Sequence, residues 1–143
     1  MFLEKSELKT VGLEEIINRI ISSDDTIVEE IIAESIDVMS GYLFQYFDTT
    51  AIFEASGENR NLTIVKHLKG IVLFEIYTRR TKQLNEVAKM RYDEAMLWLE
   101  KVSKGTIQPN LPPKLKDTNG DGTPDSEVPF MKLGSRKNYP NGW

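Results

Sequence analysis

The residues with the plainest chemical pattern in this chain lie between Asp117 and Asp125, in the stretch DTNGDGTPD. Asp117, Asn119 and Asp121 alternate with other residues, Gly122 follows at a sharp-turn position, Thr123 offers its carbonyl, and Asp125 adds a carboxylate. That order matches the first, third, fifth, seventh and ninth places of a hand-type calcium loop, whose ion needs about six to eight hard oxygens. The last place, which calls for a bidentate Glu, holds Val128, with Glu127 one residue early. Asn-Gly and Asp-Gly also build polar turns without any ion. The stretch therefore predicts either a structural calcium held by Asp117, Asn119, Asp121, Thr123 and Asp125, or a metal-free turn.

Catalytic chemistry finds little else to work with. The chain has no Cys, so thiol nucleophiles, disulfides and thiolate zinc sites are excluded. His67 is the single histidine and sits inside an apolar helical pattern with no nucleophile signature beside it, which predicts a packed or helix-surface imidazole. The carboxylate pairs Glu14-Glu15, Asp24-Asp25 and Glu29-Glu30 are sequence neighbours, and adjacent residues do not face each other on a helix. The reading is a non-enzyme with no cofactor beyond the structural calcium just described. Eighteen basic residues against 22 acidic ones give a formal charge of -4, which opposes indiscriminate binding to a phosphate backbone. Cations do gather in YTRRTK, where Arg79 and Arg80 either complement a helix C-terminus or contact an acidic partner or passing DNA.

These residues need a scaffold, and the hydrophobic spacing supplies one. The 143 residues suffice for one domain. A short helix capped by Ser6 stops at Gly12, and a second runs from Glu14 to Ile21. A long helix follows from Thr26 to Phe47, with Ile27, Ile31, Ser35, Val38 and Tyr42 on one stripe and Val28, Ile32, Met39 and Leu43 beside it. Asn61 caps the next helix, Leu62 to about Lys82, whose middle is apolar almost all round, marking it as central. The last runs from Asn85 to a stop at Gly105, with Leu84, Val87, Ala88, Tyr92, Ala95, Trp98, Leu99 and Val102 facing inward. The expected fold is all-α, a small helical bundle of three long helices plus one or two short N-terminal helices.

The helical domain is expected to span residues 1–105, followed by an irregular Pro/Gly-rich arm over 106–143. The arm's Phe130, Tyr139 and Trp143 are apolar enough to clasp a partner. The loop DTTAIFEASGENR carries Ile52 and Phe53, expected exposed, which either insert into a neighbour or close the end of the bundle. The N-terminus lacks the basic start and apolar run of a leader, and no apolar stretch approaches the roughly 20 residues that span a bilayer. A cytoplasmic protein, or one in a particle assembled there, is expected.

RYDEAMLWLEKVSKG resembles the closing helix of the Mu-like prophage family of small helical head-tail joining proteins, through Arg91, Tyr92, Ala95, Trp98, Leu99 and Gly105. FLEKSEL, IIAESIDVMSGYL and VKHLKGIVLFEIYTRR are similar to further stretches of that family, so the likeness spans about residues 2–105. The resemblance implies a connector fold and a virion structural protein at the head-tail interface. It implies a homo-oligomeric ring of about a dozen copies, since head-to-tail contacts that close make rings. Portal protein, tail or further connector proteins, and DNA sliding through the lumen without specific binding would be its partners, with no membrane. A different class, a calcium-binding or regulatory interaction module with a metal-ordered tail, is the alternative reading.

Overall fold

The computed structural model describes residues 1–80, 85–124 and 126–127. Five α-helices carry the fold: α1 (Glu14–Ile21), α2 (Asp25–Leu43), α3 (Thr49–Glu54), α4 (Leu62–Thr78) and α5 (Glu86–Ser103). A two-stranded antiparallel hairpin follows, β1 (Leu115–Lys116) against β2 (Ser126–Glu127), with Leu115 opposite Glu127. The protein is an all-α bundle, as its periodicity predicts.

Each long helix begins where a short polar side chain satisfies amide groups that the helix leaves unpaired. Asp24 Oδ1 accepts from the Thr26 amide at 3.1 Å, Asn61 Oδ1 from Thr63 and Ile64 at 3.0 and 3.2 Å, and Asn85 Oδ1 from Val87 at 2.8 Å. Gly105 ends the α5 region at φ 76°, the left-handed conformation that favours glycine. The opening segment differs from expectation. It is a 3₁₀ turn over Lys5–Thr10, and its start is fixed by the Glu4 amide donating to Glu7 Oε2 at 2.9 Å, not by Ser6.

α4 is central, packed by α2, α5 and α1, and Leu68, Val72 and Ile76 on it are fully buried. α5 crosses it so closely that a β-carbon at Gly70 would lie 3.3 Å from the Arg91 carbonyl oxygen. Arg60 then ties the N-terminal segment to the entry of α4. Its guanidinium donates to both Glu7 carboxylate oxygens at 3.0 and 2.8 Å and to the Phe2 carbonyl at 2.7 Å.

Several expectations are corrected by packing. α2 stops at Leu43, four residues short of Phe47, because the chain turns there to pair with a later segment. The Asp48 amide donates to the Pro112 carbonyl and the Lys114 amide to the Tyr46 carbonyl, both at 2.9 Å. Leu111 and Ile107 pack on the core with them, so the packed chain continues past Gly105. On α2 it is Val28, Ile32, Ser35, Met39 and Leu43 that are buried, while Val38 is exposed. Val87, expected inside, is exposed on α5, and Leu84 lies outside the described residues. The loop after α2 folds into α3, capped by Asp48 Oδ1 on the Ala51 amide at 3.1 Å.

Ile52 on α3 is 3% exposed, and Phe53 packs edge-on against Phe2 with ring centroids 5.2 Å apart. Their expected exposure is corrected: the turn of α3 rolls them onto the end of the bundle, the second of the two roles that the sequence left open. Ile52→Ala is accordingly expected to cost the monomer about 2 to 4 kcal/mol, the range for truncating a buried aliphatic side chain. Thermal unfolding of the isolated chain measures it; an unchanged midpoint would place Ile52 outside the core.

Candidate functional site

A cavity of about 170 Å³ opens where α2, α4 and α5 meet. Val38, Ile71 and Met96 line its apolar part, Tyr92 forms a wall, and Glu34 and Glu75 contribute carboxylates from α2 and α4. Ser35 also lines it and is 3% exposed. Burial raises the Tyr92 phenol above its usual value, and nearby Glu75 adds to the effect, so the phenol stays neutral and able to donate. Among the described residues neither glutamate forms an ion pair, and the Ser35 hydroxyl makes no hydrogen bond.

This slot sits beside an unusually one-signed helix. From Asp24 to Asp37 the chain carries Asp24, Asp25, Glu29, Glu30, Glu34 and Asp37 and no lysine or arginine. Lys5 reaches across to Asp25, the one α2 carboxylate with an ion-pair partner among the described residues. On α5 three carboxylates are instead paired, Asp93 with Lys89 at 2.8 Å, Glu94 with Lys66 of α4 at 3.0 Å, and Glu100 with Lys104, while Glu86, Arg91 and Lys101 form no ion pair among the described residues. Arg79 and Arg80, singled out from the sequence, follow the last turn of α4, are exposed, and form no ion pair among the described residues. Met90 and Leu97 stand exposed two turns apart on the outside of α5.

The acidic loop closes on itself. Asp117 Oδ1 accepts from the Gly120 amide at 2.7 Å and the Asn119 amide at 3.1 Å, while Oδ2 accepts from Gly122 at 2.7 Å. Asn119 Oδ1 accepts from the Asp121 amide and Asp121 Oδ1 from the Thr123 amide. Gly120 and Gly122 take φ of 78° and 85°, which a side chain would strain. These amide bonds hold the Asp117 carboxyl below its usual range. Among the described residues, no three His, Asp or Glu side chains form a group able to hold a metal ion. Asp125, Phe130, Tyr139 and Trp143 lie outside the described residues.

His67 is 5% exposed, stacked on Trp98 of α5 with ring centroids 4.7 Å apart. Burial lowers its pKa first, Lys66 lowers it further, and Glu94 opposes them. Below the ordinary imidazole value near 6.5 the unfolded chain takes up a proton that the folded chain refuses until a lower pH. Stability is therefore full above that value and falls as pH drops from it toward the folded pKa, with a slope of at most about 1.4 kcal/mol per pH unit. Denaturant melts from pH 7.5 to 5 are expected to show this loss, and His67→Phe, which keeps the stack, to flatten it. An equal slope in the variant would move the effect elsewhere.

Of the residues singled out from the sequence, Asp117, Asn119, Asp121 and Thr123 share one turn, Arg79 and Arg80 share one corner, and Ile52 belongs to the core with Phe53 packed against it. The slot was missed. Its one legible trace is the cation-free run of α2, since Ser35 and Val38 read there as members of an apolar stripe.

The family model described as Bacteriophage Mu, Gp36 matches residues 4–128. No curated protein and no solved structure matches the chain.

Proposed function

The chain belongs to the bacteriophage Mu Gp36 family, and on that premise we propose that it is a virion structural protein, a head-tail connector that forms an oligomeric ring between portal and tail. The mechanism is geometric. Three crossed helices make a rigid wedge, copies meet side by side, and a channel is left for DNA. No catalysis or cofactor enters this reading.

The observation that carries it is the segregation of charge on an otherwise compact helical domain. Of the α2 carboxylates only Asp25 has an ion-pair partner among the described residues, and Arg79 and Arg80 at the end of α4 have none there. A monomer gains little from such an arrangement, because exposed like charges repel and exposed pairs contribute only about 0 to 1 kcal/mol. An assembly gains register and partner choice from it. Carboxylates left facing a lumen would also let a polyanion slide without adhering.

Electron microscopy of the native particle, with the chain located by an attached tag and with a calcium chelator present or absent, tests the proposal. A ring containing the tag at the portal-tail junction, unchanged by the chelator, is expected. Complete particles with the tag elsewhere, or a chain that joins its partners only with calcium, would sink it.

A further inference from the structure

The slot between α2, α4 and α5 has the chemistry of a socket for an arginine. Its apolar lining of Val38, Ile71 and Met96 suits an aliphatic stem, and its two carboxylates, Glu34 and Glu75, which form no ion pair among the described residues, suit a cationic head. Ser35 adds the more telling feature. It is 3% exposed and among the described residues its hydroxyl makes no hydrogen bond, although Ser40, five residues on, donates to the Ile36 carbonyl at 2.8 Å. That hydroxyl is open to the slot, so its oxygen is free to accept from a donor-rich group arriving there. Arginine brings five donors in a planar fork, enough for two carboxylates and a hydroxyl together.

The chain itself carries the matching group. Arg79 and Arg80 are exposed and form no ion pair among the described residues, and Arg79 lies one helical turn beyond Glu75 without pairing with it. We propose that the slot of one copy receives the Arg79-Arg80 corner of a second copy, with one guanidinium seated between Glu34 and Glu75. Acceptor and donor adjoin along α4, so the contact is either mutual about a twofold axis or directional, each copy receiving one neighbour and entering another, and the ring requires the second. Repetition closes into a ring when the rotation between copies does. This inference rests on the ring reading above and names the contact that builds it.

Charge reversal of the full-length chain tests the pairing. Wild-type protein is expected to associate with rising concentration in sedimentation velocity, while Glu34→Arg with Glu75→Arg, or Arg79→Glu with Arg80→Glu, weakens association at least about tenfold. All four positions are exposed, so unchanged helical circular dichroism is expected in both variants. Mixing the two variants one to one restores association, because every contact then joins opposite charges again; so does the fourfold variant. Either double variant associating like wild type, a mixture as weak as its parts, or a wild-type chain that stays monomeric at millimolar concentration would overturn the contact. A rescued mixture whose mass stops at a dimer keeps the socket and sinks the ring. A ring that persists in particles carrying Glu34→Arg and Glu75→Arg keeps the ring and sinks the socket.

Discussion

Leu68→Ala is expected to cost the folded chain about 3 to 5 kcal/mol and to lower its melting midpoint by about 10 to 20 °C. Leu68 is fully buried at the middle of α4, the helix that α1, α2 and α5 all pack against. Truncation removes apolar contacts on several sides at once, and backbones held by three neighbours cannot collapse into the space. With a total stability of about 5 to 15 kcal/mol for ordinary domains, one such cavity consumes a large share. Leu97→Ala, a change of the same size at a half-exposed site on α5, is expected to shift stability by only about 0.5 kcal/mol. Urea denaturation of both variants checks the contrast. Equal losses would contradict the placement of α4 at the centre and of Leu97 at the surface.

Gly70→Leu is expected to be at least as damaging, through the opposite error. At position 70 a β-carbon already meets the Arg91 carbonyl oxygen at 3.3 Å and the Arg91 β-carbon at 3.5 Å. A leucine there must push α5 away from α4, and overpacking of a close crossing costs about 3 kcal/mol or more. The helices would separate where Lys66 pairs with Glu94 and His67 stacks on Trp98. Gly70→Ala is a finer probe. It gains about 0.8 to 1 kcal/mol of helix propensity and loses a comparable amount if the Arg91 backbone must yield by a few tenths of an ångström. Its net effect is expected within about 1 kcal/mol of zero. Near-UV circular dichroism should report the Leu variant as a loss of fixed environment around Trp98. A native spectrum and native stability in Gly70→Leu would mean that the crossing is looser than the backbone distance implies.

Both predictions bear on the slot as well as on stability, because it exists only while α2, α4 and α5 keep their spacing. Ser35, Glu75 and Tyr92 come from three helices, and none of them is near another in sequence. Their meeting follows from the α4–α5 crossing at Gly70 and from the buried stripe of α2.

The sequence by itself determined the features that arise within a turn or two of the chain. Helix periodicity marked α1, α2, α4 and α5, Asn61 marked the entry to α4, Gly105 marked the exit from α5, and the absence of Cys removed whole classes of chemistry. These are local consequences of amide geometry, side-chain spacing and backbone freedom, and they do not depend on what packs nearby. Tertiary structure alone decided which of two adjoining apolar stripes on α2 turned inward, whether Ile52 faced water or core, and how far the packed chain ran past Gly105. Each depends on a partner segment distant in sequence: α4 against α2, Phe2 against Phe53, and Pro112 against Asp48. It also decided the slot, since a carboxylate without an ion pair is defined by what the rest of the fold fails to place beside it.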